Sequence, residues 1–189
     1  MKRVLCLKIL LLFNINTYSQ TSLDIEVAAA YRYMVSNIFY DSIVLKTGSL
    51  LPYPGQLKKD NKPNIIFLYK SLVRNKNICK DLNKNDCKNL CFYDHFDWSV
   101  ADKGLINKKI IDTSKSIFQN PDIHLLGTLV IKGVYAPCNF NSRSSNKNIY
   151  FEIDCIGEKS HKGGRGYILK LSKKNNKWFL AKTITTWQS

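Results

Sequence analysis

The sequence predicts an α+β fold, with N-terminal helices packed on a curved antiparallel sheet that ends in a four-stranded β-meander. Three observations predict it. Apolar residues recur every three or four positions from Leu23 to Tyr40, and every second position beyond Pro121. Clusters of Asn, Gly and Ser interrupt the second pattern at short intervals, as turns do.

In the first segment Leu23, Val27, Tyr31, Met34 or Val35, and Ile38 form one apolar stripe. Ser22 is placed to cap the helix, and Asp24 and Glu26 put negative charge in its first turn, where the helix dipole favours it. Asp41 to Leu45 reads as a strand running into LPYPGQ, an irregular loop forced by two prolines and a glycine. Asn64 to Arg74 (NIIFLYKSLVR) predicts a second, shorter helix with Ile65, Leu68 and Leu72 on one side. Asn75 to Lys88 is polar and reads as a loop or a frayed helix. Val100 to Gln119 has apolar residues without clean periodicity, which assigns it no class.

The meander is more explicit. LLGTLVIKGVY sets Leu129, Ile131 and Tyr135 on one face. NIYFEIDC sends Ile149, Phe151, Ile153 and Cys155 inward and Tyr150, Glu152 and Asp154 outward. GYILKLSK alternates Tyr167, Leu169 and Leu171 against Lys170 and Ser172, and KWFLAKTITTW closes the chain. The connections are NFNSRSSNK, GEKSHKGG and KNN. Asn175 and Asn176 tolerate positive φ and predict a tight hairpin between Gly166–Lys173 and Lys177–Thr186. Trp178 is placed to cover the sheet after that turn, and Trp187 to pin a terminal strand that would otherwise fray.

The front end reads differently. Lys2 and Arg3 precede an apolar run, Asn14 and Asn16 end it, and Thr17 and Ser19 stand at −3 and −1 of a cut before Gln20. This is the layout of a cleaved secretory signal over residues 1–19, and the run is too short for a membrane anchor of ~20 apolar residues. Cys6 precedes the apolar run, which argues against a lipoprotein signal. Residues 20–189 then make one globular domain, exported to the periplasm or the extracellular space. No later run is apolar enough to span a bilayer.

The net charge is +15, and loss of Lys2, Arg3 and Lys8 leaves the mature chain at +12. Such a surface favours a protein or an anionic envelope ligand as partner. Of the 29 basic residues only Arg3, Arg32, Arg74, Arg143 and Arg165 are arginine. Lysine is a solvated point charge without the fork that reads phosphates and base edges, so the composition argues against nucleic acid. Five cysteines survive cleavage: Cys79, Cys87, Cys91, Cys138 and Cys155. In an exported chain they read as two disulfides and one free thiol, with a local bridge from Cys79 to Cys87 or Cys91. A metal site would need CxxC-like pairs with histidine at matching spacing, which the sequence does not supply, and it predicts no cofactor.

Acid–base chemistry has two candidate locations. YDHFDW brings Asp94, His95 and Asp97 within four residues, and a carboxylate beside an imidazole can tune a general base. The simpler reading is an aromatic loop that plugs the sheet with Phe92, Phe96 and Trp98. In KSHKGGRG, His161, Lys162, Gly163, Gly164 and Arg165 could cradle an anion with backbone amides, and a glycine-rich β-turn explains them more simply. Neither GxSxG nor HExxH occurs.

The C-terminal residues carry a resemblance. The hairpin Lys173-Lys174-Asn175-Asn176-Lys177-Trp178, the glycines Gly163, Gly164 and Gly166 before the third strand, and the closing Trp187-x-Ser189 resemble a group of uncharacterised secreted and lipoprotein-type bacterial domains. The likeness covers the last third to half of the chain. Members of that group often carry a Cys-Gly pair where this chain has GEKSHKGGRG. It implies no activity. By pattern the architecture is also similar to nuclear-transport-factor-2-like and cystatin-like folds. The sequence therefore leads to a non-enzymatic exported binding or interaction domain that uses the concave face of its sheet and the His161 loop. The alternatives are a small secreted hydrolase or nuclease on an anionic substrate, using His95, Asp97 and His161, and a periplasmic inhibitor or immunity protein.

Overall fold

A computed structural model describes residues 22–38, 64–95, 97–103, 111–112, 122, 124–141, 147–157 and 164–188. The signal segment, the strand expected over Asp41 to Leu45, Phe96 and the centre of the His161 loop lie outside the described residues. Helix α1 spans residues 22–33 and runs into a π-helical turn, Met34–Ile38. Short helices α2 (Ile78–Asp81), α3 (Lys84–Cys87) and α4 (Trp98–Lys103) follow among strands β1 (Asn64–Lys70), β2 (Leu90–Phe92) and β3 (Ile111–Asp112). The meander is β4 (His124–Pro137), β5 (Lys147–Gly157), β6 (Gly164–Lys174) and β7 (Lys177–Gln188).

The fold is α+β, and the four meander strands pair antiparallel in sequence order, as their alternation predicts. The sheet as a whole is mixed. Its order is β3-β1-β4-β5-β6-β7, with β1 parallel to both β3 and β4, and β2 antiparallel to the far half of β4. The segment expected as a second helix is thus strand β1. A parallel strand flanked on both sides reads as a short continuous apolar run, which periodicity does not separate from a helix. The β-branched pair Ile65-Ile66 and the preceding Pro63 favour the strand.

One face of the sheet packs against α1. Of the expected stripe, Val27, Tyr31, Met34, Val35 and Ile38 are all 4 % exposed or less and Leu23 is partly buried against the core; Ala30 is buried with them. They meet Leu129, Ile131, Ile149, Phe151, Ile153, Tyr167, Leu169, Leu171 and Trp178. Ser22 stands within the first helical turn and not before it.

The other face is covered too, which the alternation alone does not reveal. Ile78 and Leu82, from α2 and the bend after it, pack on Tyr135, Tyr150 and Ile168, with Leu90 and Phe92 of β2 alongside. Tyr150 and Glu152, expected outward, are therefore buried at 2 % and 4 %. Tyr135 also joins this second layer, away from Leu129 and Ile131. The register jumps from Ile131↔Ile153 to Gly133↔Glu152, so Lys132 is an extra residue that reverses the facing of everything after it. Val134 takes the place on the α1 face.

The polar segment 75–88 is held by two devices. Asn83 caps α3, accepting from the Asp86 backbone N–H at 2.7 Å, and Cys79 is bonded to Cys87. A second disulfide, Cys91–Cys138, ties β2 to the end of β4, and Cys155 is the free thiol, buried in β5. The two bridges close loops of very different length, with separations of 8 and 47 residues. Replacing Cys91 and Cys138 by serine is expected to cost roughly 2–4 kcal/mol, and replacing Cys79 and Cys87 less, because a longer closed loop removes more unfolded-state entropy. Parallel urea melts of the two double variants give the order, and equal midpoint losses would contradict it.

Candidate functional site

His95 is largely in solvent, its side chain 78 % exposed, with Nε2 3.1 Å from Asp94 Oδ1. Asp97 is exposed as well. The aromatic plug is present in part: Tyr93 is buried, Phe92 packs in the second layer, and Trp98 is half-buried edge-on to Tyr31 at 5.3 Å. A second carboxyl, Asp24 of α1, interacts with His95 electrostatically. Burial pushes its pKa up, the His95 charge pulls the other way, and the net direction is upward. Its Oδ1 is buried without a hydrogen-bond partner. His161, Lys162 and Gly163 lie outside the described residues, so the convergence of His95 and His161 that hydrolysis would need is not described.

A second titratable cluster has no signal in the sequence. Tyr31 of α1 donates to Asp102 Oδ1 of α4 at 2.5 Å, and Lys70 at the end of β1 pairs with Asp102 Oδ2. The Lys70 ammonium also lies 5.2 Å from the Trp98 ring centroid. Burial, then the Asp102 carboxylate, drives the Tyr31 hydroxyl far above its ordinary pKa. Both Asp102 oxygens are engaged, and Tyr31 keeps its proton at any physiological pH. The cluster clamps α1 and α4 to the sheet and has no group free to move a proton. The Cys155 thiol is likewise pushed up by burial and by Asp154, which makes it a poor nucleophile. Among the described residues no group of three His, Cys, Asp or Glu side chains could hold a metal ion.

The outer face, opposite α1, carries a different arrangement. Lys170 of β6 reaches Asp86 Oδ1 at 2.7 Å. Glu152 accepts from Asn75 Nδ2 at 3.0 Å and from the Tyr135 hydroxyl at 3.3 Å, with Lys132 at 3.6 Å. Burial, opposed by an Asn75 backbone N–H and aided by Glu152, moves the Tyr135 hydroxyl up to about 12. Lys132 also lies 3.4 Å from Asp154, whose Oδ1 accepts from Trp187 Nε1 at 2.8 Å.

Gly164 and Gly166 belong to this arrangement. They are strand residues of β6, paired with Ile156 and Asp154, and Arg165 between them pairs with Cys155. A Cβ on Gly164 would stand 2.8 Å from Trp187 Cη2, and one on Gly166 would run into Trp187 Nε1 and Cδ1. These two glycines of the expected anion loop are thus the seat of the Trp187 side chain.

At this seat Ile156 and Trp187 are each 37 % exposed, and at the other end of β7 Phe179, opposite Ser172 on the same outer face, is 41 % exposed. β7 pairs only with β6 among the described residues. Extra residues Ala181 and Thr186 bulge it, and Lys177 and Lys182 are exposed along it. Bulges and lysines discourage the addition of a further strand to this edge. No protein-family model, curated protein or solved structure matches the chain. No described helix is long and apolar enough to cross a membrane.

Proposed function

We propose that the mature chain is an exported, non-enzymatic binding domain that meets an envelope partner with the outer face of its β6–β7 edge. The observation that carries this reading is that Trp187 and Ile156 stand exposed side by side at one end of this edge, with Phe179 exposed on the same outer face at the other end of β7. Large apolar side chains left together in solvent mark contact surfaces. Two disulfides in a chain with a signal-like front end support export. The described acid and base groups support a binding role over catalysis, because they are either locked in buried contacts, as at Asp102, or open to solvent, as in the His95–Asp94 pair.

Retention of envelope components on the immobilised mature protein tests this. Phe179→Ser is expected to weaken retention at least about tenfold, and His95→Ala to leave it unchanged. Loss of retention with His95→Ala but not with Phe179→Ser would move the site to the YDHFDW segment and overturn the proposal.

A further inference from the structure

The orientation of Trp187 follows from two directions that both lie in the plane of its ring. The long axis runs along β6, because the pyrrole atoms Nε1 and Cδ1 stand over Gly166 and the benzo atoms Cη2 and Cζ3 over Gly164, two residues away. The N–H axis runs across the sheet, to Asp154 on the neighbouring strand β5. Both directions lie along the sheet, so the indole lies flat on it. One ring face rests on glycine backbone and the other turns outward, in accord with its 37 % exposure. The indole is held by its hydrogen bond and by a seat that admits no Cβ, so its position is set before any ligand arrives.

We infer that this outward indole face, with Asp154 and Lys132 at its rim, is a binding platform for one ring of a neutral saccharide. The inference rests on the binding-domain reading and gives it a ligand class. A pyranose ring offers an apolar face of C–H groups to stack on an aromatic surface, and hydroxyls around its edge. The rim matches those hydroxyls with a carboxylate that accepts and an ammonium that donates.

Charge decides against the other stacking ligands. Among the described residues the rim holds two carboxylates, Glu152 and Asp154, against Lys132, a balance that disfavours a phosphate or sulfate at that spot. A cation would suit the indole face, but it must approach a chain whose mature net charge is +12, after loss of Lys2, Arg3 and Lys8 from +15. A neutral sugar meets neither penalty. One stacked ring with two rim contacts makes the affinity weak, on the order of 0.1–1 mM.

Titration of cellohexaose and of N-acetylglucosamine hexamer into the disulfide-bonded mature protein, followed by proton–nitrogen NMR, tests the inference. The chain has three tryptophans and hence three indole N–H signals. The Trp187 signal is expected to shift saturably with at least one of the two saccharides, while those of Trp98 and Trp178 stay in place. Trp187→Ala should abolish binding, and Lys132→Ala should weaken it several-fold. If Trp187→Ala does not fold, the signal-resolved titration of the wild type decides alone. A Trp187 signal unmoved by either saccharide at about ten times the expected dissociation constant overturns the inference, as does a shift produced by heparin and by neither neutral oligomer. Partner retention that depends on Phe179, with no saccharide response, would leave the binding-domain reading standing and remove this one.

Discussion

Trp178→Ala is expected to remove ~3–5 kcal/mol of stability, the usual cost of emptying a buried aromatic site. A domain of this size is held by roughly 5–15 kcal/mol, so the variant should melt far below the wild type or fail to fold at all. Trp178 is the second residue of β7 and is 9 % exposed, packed in the α1-facing core beside Leu180. Its position is fixed by the turn before it. Asn175 and Asn176 have φ of 49° and 62°, both in the left-handed region that a two-residue hairpin of this hand requires. The resulting register sets Lys173 opposite Trp178 and Leu171 opposite Leu180, so the apolar residues of both strands share one face. A second variant separates packing from polarity. Trp178 Nε1 is buried without a hydrogen-bond partner, so Trp178→Phe keeps most of the apolar volume and discards an unsatisfied donor. It should cost far less than Trp178→Ala, and Lys177→Ala, on an exposed side chain, almost nothing. A Trp178→Ala protein with an unchanged melting temperature would make this tryptophan a surface residue and contradict the register.

Which parts of the molecule the sequence discloses follows from how local their causes are. The hairpin is legible because its turn residues, alternation and aromatic anchor lie within a dozen positions. Helix α1 is legible because its stripe from Val27 to Ile38 is a property of one element. Strand β1 is not, because its character comes from neighbours β3 and β4, which are distant in the chain. The outward assignment of Tyr150 and Glu152 is correct as parity and silent about depth. Those residues do face away from α1, but Ile78 and Leu82 of the disulfide-bonded segment cover Tyr150, and Asn75 just before it bonds Glu152. The same limit hides the Tyr31–Asp102–Lys70 clamp, whose members lie 71 and 32 positions apart. Trp187 is an intermediate case. The glycine cluster and the closing tryptophan are both visible in the sequence, but only the pairing of Gly166 with Trp187 joins them.

Glu26→Ala is expected to be comparably damaging, through charge and not volume. Glu26 sits on α1 and is 8 % exposed, with Lys173 Nζ at 2.8 Å and Lys147 Nζ bonded to its other oxygen. Those two lysines are direct cross-strand partners at the open ends of β5 and β6, and their side chains are only 10 % and 15 % exposed. Like charges directly opposite repel, so the carboxylate is what lets this pair stand there. Removing it leaves two poorly solvated ammonium groups facing each other and also removes one tie between α1 and the sheet. Breaking a buried ion pair from one side costs ~3–5 kcal/mol, and Lys147→Met added to Glu26→Ala should restore a measurable part of the loss. The pH dependence has a definite sign. Burial pushes the Glu26 carboxyl up, but the hydrogen bonds and charges of Lys147 and Lys173 outweigh it and hold it below its ordinary 4.5. A carboxyl lowered in the folded state stabilises fully above its unfolded value and loses that contribution as the pH falls through the folded one. Asp86, lowered by Lys170 against its own burial, adds to the same loss, whereas Asp24, raised by burial, opposes it by favouring protonation in the folded state. Wild-type stability should therefore fall as the pH is taken below 4.5. In Glu26→Gln, which starts lower because the charge is gone, the slope should be shallower. Parallel acid-side slopes for the two proteins would mean that Glu26 titrates alike folded and unfolded, and that the lysines are neutralised by something else.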